Sequence, residues 1–387
     1  LVLAYFPQRM KRSLTVNSDY PPQGLVSDGA VGALEMEFEF DWIDIAFQQR
    51  IPLTINAGQV PSPQTDFPLS VNDTYPDLIG EVEAEMRFAG SDNIELKYEI
   101  AKFDNATGEL IAWVNKPTVS DGDFLGIYFD NPSAVDAQNP PAVWDVNYKS
   151  VYHEDSAPPT VDSTINAQDM TDGVTVFTEP AQIHNGMRYV GQVASFSQRF
   201  PYTGAPTTEV TTEVWLKVPA RSDVGIFSYA AGIEDNEWLL FGHGTTTIVV
   251  VKGQSLEFDS PTMTDDVFHH YVITWRSSDG LCTQYIDGEL INTGNVAVGL
   301  SLLDNGSLVL AQDQDTVGGG FTGAQALIGI LDEVRWSNIV RSADYVKTSF
   351  NNQSSPSTFY TTGAVESVPT GLGDMEFETL GDMEFES

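Results

Sequence analysis

Along most of the chain, hydrophobic and polar positions alternate with a period of two, in runs rich in Val, Ile, Thr, Phe and Tyr. Clusters of Gly, Pro, Asn and Asp break these runs. Side chains alternate across a strand, so the pattern predicts half-buried strands joined by turns. Tyr98-Glu99-Ile100-Ala101-Lys102-Phe103, the turn Asn105-Ala106-Thr107-Gly108, and Glu109-Leu110-Ile111-Ala112-Trp113-Val114 read as one hairpin. Helical periodicity is scarce, and an all-β fold is expected. The stretch His153-Glu154-Asp155-Ser156-Ala157-Pro158-Pro159 reads as a hinge between two β units. A Ser/Pro/Gly-rich spacer runs from Ser354-Ser355-Pro356-Ser357 to Pro369-Thr370-Gly371. The expected organisation is an extension at 1–41, a β-sandwich at 42–155, a linker with the first strands of the second unit at 156–204, that unit at 205–353, and an acidic tail at 354–387.

The composition supports two folded cores: 387 residues, 41% hydrophobic and 11% aromatic. Eighteen basic against 55 acidic residues give a formal charge of −37. Such a charge opposes phosphate backbones and anionic lipid, so no nucleic-acid partner is expected. It fits a protein working in salty or calcium-containing fluid, where screening weakens self-repulsion, and equally the plain solubility of a secreted protein. Cys282 is the only cysteine, which leaves no intrachain disulfide and no Cys-based zinc cage; its expected role is strand packing. No stretch approaches the roughly 20 apolar residues that span a bilayer, and no membrane insertion is expected. The opening Leu1-Val2-Leu3-Ala4-Tyr5-Phe6, followed by Arg9 and Lys11-Arg12, is too short and reversed in charge order for a signal peptide. Either a leader has been removed or export takes another route, such as assembly into a virion; the expected location is extracellular, on a cell or virion surface.

One constellation carries chemistry. Ca²⁺ takes six to eight oxygen ligands from carboxylates, amides and carbonyls. Asp313, Gln314 and Asp315 follow the apolar run Leu308-Val309-Leu310, with Gly318-Gly319-Gly320, Phe321 and Gln325 behind them, and Asp235-Asn236 lie far upstream. In an extended segment Asp313 and Asp315 face the same way, and the Gly run permits a tight turn beside them. Taken alone, Asp-x-Asp also fits a solvated acidic loop.

The stretch from Glu213-Val214-Trp215-Leu216 through Asp235-Asn236-Glu237-Trp238-Leu239-Leu240-Phe241, His270-Tyr271-Val272-Ile273-Thr274-Trp275 and Gln325-Ala326-Leu327-Ile328-Gly329 to Trp336 resembles the pentraxin family. These are secreted lectins of the concanavalin-A-like jelly-roll class that bind ligands through calcium. The resemblance implies an N-terminal β-sandwich followed by a concanavalin-A-like jelly roll, with short extended terminal segments. It places Asp235, Asn236, Asp313, the Gln314 carbonyl and Asp315 at a first calcium and Gln325 at a second, where Thr322 stands in place of a glutamate. Phe241 coincides with an aromatic of the family's ligand pocket, whose acidic partner would fall at Ser255 or a neighbour. His243 either borders that face or is an exposed turn residue. The family's paired cysteines are replaced by Glu213 and Val272. In the first unit, Arg50-Ile51-Pro52-Leu53-Thr54-Ile55, Asp66-Phe67-Pro68-Leu69, Trp113-Val114 and Val143-Trp144-Asp145 resemble an uncharacterised β-sandwich domain of bacterial and archaeal surface proteins. Together the resemblances imply calcium-dependent recognition of a glycan or other surface ligand.

A further motif lies outside both. Leu34-Glu35-Met36-Glu37-Phe38-Glu39 recurs as Asp374-Met375-Glu376-Phe377-Glu378 and Asp382-Met383-Glu384-Phe385-Glu386. When extended, Met and Phe share a face, so Met375, Phe377, Met383 and Phe385 are expected to dock on a neighbouring subunit and build a homo-oligomer. The first copy reads as an ordinary amphipathic strand. Glycan hydrolysis would need two carboxylates across one bond. The strips Glu35/Glu37/Glu39 and Glu81/Glu83/Glu85 lie in the wrong unit, and Asp332 and Glu333, being adjacent, are expected on opposite strand faces. No nucleophile elbow, zinc-protease helix or phosphate loop is present, and His269-His270 reads as strand packing. No enzyme is expected. The competing reading is a structural subunit of a phage tail, capsid fibre or surface filament, with a glycan hydrolase a distant third.

Overall fold

The computed structural model describes residues 42–154, 160–219, 223–260 and 264–369. The expected assembly residues Met375, Phe377, Met383 and Phe385, and the first motif copy, lie outside these described residues. The first unit contains β1 (Gln49–Ile55), β2 (Gln64–Thr74), β3 (Arg87–Ala89), β4 (Tyr98–Asp104), β5 (Glu109–Val119) and β6 (Phe124–Phe129). One sheet carries β1, β6 and β3 in that order, and the other runs β2-β5-β4. Alternate residues Ile51, Leu53 and Ile55 of β1 meet Phe67, Leu69 and Val71 of β2 in a shared core, as period-two patterning requires. Glu83–Glu85 form a short 3₁₀ turn rather than a strand, so the alternate-residue face expected for Glu81, Glu83 and Glu85 does not exist.

Strand β7 (Tyr148–Tyr152) leaves this unit and joins the second. There follow β8 (Thr171–Asp172), β9 (Val176–Pro180), β10 (Asn185–Val190), β11 (Ser197–Tyr202), β12 (Glu209–Lys217), β13 (Asp223–Ala231), β14 (Glu234–His243) and β15 (Thr246–Val251). The series continues with β16 (Gln254–Asp259), β17 (His269–Arg276), β18 (Leu281–Ile286), β19 (Glu289–Asn295), β20 (Gly306–Leu310) and β21 (Ile328–Ser337). An eight-stranded sheet, β19-β18-β17-β12-β21-β10-β9 with β7 also on β21, faces a seven-stranded sheet, β16-β15-β14-β13-β20-β11-β8. Trp238, Trp275, Trp336, Phe227, Tyr229 and Leu310 fill the space between them, and Cys282 packs in the same core. Glu213 and Val272 stand directly across from one another on β12 and β17.

The segment expected to be a spacer is built into the fold. Helix α1 (Ala343–Ser354) is capped by Ser342, whose hydroxyl accepts from Tyr345 N at 3.1 Å. After the short α2 (Pro356–Phe359), β22 (Tyr360–Thr362) and β23 (Glu366–Ser367) pair with β1 and complete the first unit's sheet. The Ser/Pro cluster there marks the break between two helices, not the start of a free tail. Asn352 of α1 exchanges hydrogen bonds with Ser70 of β2, 2.7 Å from its N and 2.9 Å to its O. Trp215 of β12 donates to Gln353 Oε1 at 2.7 Å. The helix is thereby wedged between the two units.

The expected hinge is corrected at its described end. His153 and Glu154 are buried, while 155–159 lie outside the described residues. The His153 ring joins Glu333 of β21, Nδ1 to Oε1 at 2.8 Å, to Glu99 of β4, Nε2 to Oε1 at 3.2 Å. Arg335 bonds Glu333 at 2.9 Å and Glu213 at 3.2 Å, and lies 4.4 Å over the Trp113 ring. Glu213 also takes His270 Nε2 at 2.9 Å and the Ser349 hydroxyl of α1 at 2.6 Å. A left-handed φ of 52° at Glu333 makes this possible. Beyond it β21 changes partner along one edge, from β10 to β7, while its pairing with β12 shifts register between Glu213 and Trp215. Asp332 and Glu333 therefore do not simply alternate: both are buried, and Asp332 accepts from Ile183 N at 2.8 Å. Burial and the adjacent Glu333 charge raise the Asp332 carboxyl far above its ordinary value.

Burial works against a charged His153, but Glu333 and Glu99 outweigh it and hold the imidazole far above its ordinary 6.5. A raised histidine contributes stability in full below its unfolded pKa and loses it as pH climbs through the folded value. His153→Gln, which leaves two buried carboxylates short of a cation, should cost about 3 kcal/mol in urea unfolding at pH 6. The gap to wild type should narrow toward alkaline pH; a gap that is constant or grows with pH contradicts the assignment.

Candidate functional site

Strands β11, β20, β13 and β14 are neighbours in the seven-stranded sheet. Phe227, Tyr229, Leu240, Leu308 and Leu310 point into the core. Their neighbours Ser228, Leu239 and Val309, in register across the sheet, therefore face outward. All three are nevertheless buried, because the chain after β20 folds back over them. Ala311 makes the reversal with φ 64°.

Hydrogen bonds fasten this loop to the sheet. Gln314 Nε2 donates to the carbonyls of Ser228 at 2.9 Å and Ser307 at 3.0 Å, and its Oε1 accepts from Gly318 N at 2.9 Å. Gly225 N donates to the Gln325 carbonyl at 2.7 Å. A Cβ at Gly225 would stand 2.4 Å from Asp313 N, so only glycine allows the loop to seat this closely. Sequence reasoning missed Ser228 and Gly225, which sit in the hydrophobic run Val224-Gly225-Ile226-Phe227-Ser228 and carry no chemical signal of their own.

The acidic residues converge on this anchored loop. Asp313 Oδ1 accepts from Gln314 N at 2.8 Å and its Oδ2 from Gln325 Nε2 at 3.1 Å. Burial, followed by the charges of Asp315 and Asp235, pushes the Asp313 carboxyl up to about 6. Asn236 Nδ2 donates to Asp235 Oδ1 at 3.2 Å, while Asn236 Oδ1 is buried without a hydrogen-bond partner. Gln325 Oε1 accepts from Thr322 at 2.8 Å. Five of the six expected ligands thus offer side-chain oxygens around one loop, but the Gln314 side chain is spent on the sheet, leaving its backbone carbonyl. Among the described residues no three His, Cys, Asp or Glu side chains stand close enough to hold a metal by themselves. The donor set is nonetheless all oxygen, with mutually repelling carboxylates and an orphaned amide oxygen, which is the chemistry a hard dication relieves.

Phe241 of β14 is half-buried on the outer face, opposite the buried Trp238. It pairs with Ile248, and Ile248 pairs with the exposed Glu257. The acidic neighbour in line with Phe241 is accordingly Glu257; Ser255 pairs with Val250. His243 is exposed and its Nδ1 is paired with Asp223.

Residues 192–359 match the model of the Pentaxin family. Over 142 residues the chain is 34% identical to Sushi, von Willebrand factor type A, EGF and pentraxin domain-containing protein 1 of Rattus norvegicus, 36% of this chain and 4% of that protein. Over 136 residues it is 33% identical to neuronal pentraxin-2 of Homo sapiens, 34% of this chain and 32% of that protein. The chain therefore spans a third or less of the curated relatives it matches. Of solved structures, the native heptameric SAP-like pentraxin from Limulus polyphemus matches 44% of this chain and 87% of its own at 21% identity and a TM-score of 0.38. Residues 192–359 form a pentraxin-type domain of the concanavalin-A-like class. No helix among the described residues is long and apolar enough to cross a membrane.

The raised Asp313 value has a defined sign. A carboxyl lifted from 3.8 to about 6 disfavours the folded state once it ionises. In chelator, Asp313→Asn should stabilise the protein by about 2 kcal/mol at pH 7.5, by roughly half as much at pH 5 and by little below about pH 4. A variant less stable than wild type at pH 7.5 in urea unfolding would show that Asp313 is not held under repulsion.

Proposed function

We propose that the pentraxin-type domain is a calcium-dependent recognition module working outside the cell, on a cell or particle surface, with no catalytic role. The gathering of Asp235, Asp313 and Asp315 beside the unpartnered Asn236 oxygen carries this reading. Asp235, Asn236, Asp313, the Gln314 carbonyl and Asp315 would hold the ion, and Gln325 would orient Asp313 and serve a second ion if one binds. When bound, Ca²⁺ offers open coordination positions to hydroxyl or anionic oxygens of a glycan or other surface ligand. Gln314, through its bonds to Ser228 and Ser307, keeps the loop seated, while Phe241 supplies apolar contact beside it. His243, tied to Asp223, borders the same face. The first unit, resembling a surface-protein sandwich, serves as the carrier.

Calcium titrated calorimetrically into chelator-treated protein should bind saturably, with Kd between about 10⁻⁵ and 10⁻³ M. Asp313→Asn/Asp315→Asn should abolish the heat. No specific uptake by wild type would end the calcium reading.

A second reading, assembly, has its own observation. Trp42, Phe47 and Tyr128 form one apolar cluster against which Val368 packs, and Val368 N donates to Gln48 O at 2.8 Å. The described ends of the chain, Trp42 and Val368, thus meet at a single corner of the sandwich. Such a corner suits association with a second copy. Deleting 370–387 should turn oligomers into monomers in sedimentation velocity; an unchanged distribution rules out the terminal strips as the assembly device.

A further inference from the structure

The outer face of the seven-stranded sheet carries more aromatic surface than the Phe241 side accounts for. On β11 the Ser197 hydroxyl meets Tyr189 in the interior at 2.8 Å, so Phe196 and Gln198 face outward. Phe196 packs on Phe321 with ring centroids 4.5 Å apart, and Gln198 Nε2 donates to Ser307 at 3.0 Å. Phe200 is 58% exposed. It lies along the loop's backbone: a Cβ at Gly318 would stand 3.5 Å from its ring and 3.6 Å from Gln198 Nε2. The same loop bends back on Asp315, whose Cβ lies 2.8 Å from where a Gly320 Cβ would be. The acidic loop therefore has an aromatic flank on each side, Phe241 on β14 and Phe200 with Phe196 and Phe321 on β11.

The strand order β11-β20-β13-β14 separates these flanks by three strand spacings, on the order of 14 Å across the sheet, and the register adds about three residues, roughly 10 Å, along it. That span exceeds one sugar ring. An exposed aromatic face beside carboxylates and amides suits a ring with C–H groups on its flat side and hydroxyls at its rim. A fatty chain would need a covered groove, and an anionic polymer would meet the negative field of the whole chain. We propose that Phe200, backed by the Gly318 backbone and the Phe196/Phe321 pair, is a second subsite. It takes one sugar unit of a neutral oligosaccharide whose adjoining unit lies over Asp313 and Asp315. The inference rests on reading that loop as the hydroxyl-binding centre.

The probe is a printed ladder of neutral oligosaccharides, from monosaccharide to hexasaccharide, read in calcium with the full chain. Phe200→Ala should weaken capture of disaccharides and longer by about five- to tenfold and leave monosaccharide capture unchanged. Phe241→Ala should weaken every length, and Phe177→Ala, exposed on the far edge strand β9, none. Equal loss at all lengths, no loss, or no capture of any length by wild type overturns the subsite. Calcium uptake by the same proteins separates the two readings. Normal uptake by Phe200→Ala alongside length-selective loss supports both, whereas length-selective loss without any calcium uptake keeps the subsite and removes the metal.

Discussion

The structure depends on a set of buried charges where four parts of the chain meet. Glu213, Glu333 and Arg335 belong to the jelly roll, Glu99 to the first sandwich, Ser349 to the helix, and His153 to the connection between the units. Charges removed from water are tolerable only when every partner is in place, so the cluster is satisfied in one relative placement of the units. A slide of either unit would leave a carboxylate or the guanidinium desolvated and alone. Burial of Trp113 and Trp144 against the same Arg335 adds apolar area to that constraint. The position across from Val272, where the family carries a cysteine, is given over to this network through Glu213.

The acidic loop depends on a different device. It is held by neutral amide hydrogen bonds from Gln314 to the backbone of β13 and β20, and its closeness is licensed by Gly225. Because these bonds use no charge, the carboxylates of Asp313, Asp315 and Asp235 are left free to accumulate negative potential. The loop is thus seated on the sheet by neutral bonds alone, and Asp313 is held there under burial and the charges of Asp315 and Asp235.

The strands were legible because period-two alternation follows directly from one buried face, and the acidic site because Asp313, Asp315, Asp235 and Asn236 are chemically conspicuous. Helix α1 was not. Its buried residues include Thr348, which donates to the Asp344 carbonyl one turn back, and Ser349, Asn352 and Gln353, which are satisfied by Glu213, Ser70 and Trp215 from other parts of the fold. A hydrophobicity pattern does not reveal a buried face made of polar groups whose partners are remote in sequence. The same blindness made His153 and Glu154 look like solvent-exposed hinge residues. It also hid β22 and β23, whose pairing with β1 joins residues some three hundred positions apart and leaves no local trace.

These two devices divide the jelly roll between its faces. The eight-stranded sheet gives its outer side to α1, where Phe350 stacks on Trp215 and His270, and through the helix to the first sandwich. Polar and charged groups there are consumed by the junction. Among the described residues the seven-stranded sheet has no such cover: its outer side carries the acidic loop, Phe241, Phe200 and Glu257. The charge network fixes the first face against its neighbour, so the outer side carrying the acidic loop is the one that the first sandwich leaves uncovered among the described residues. Attachment through one sheet therefore leaves the loop and its aromatic neighbours accessible on the other.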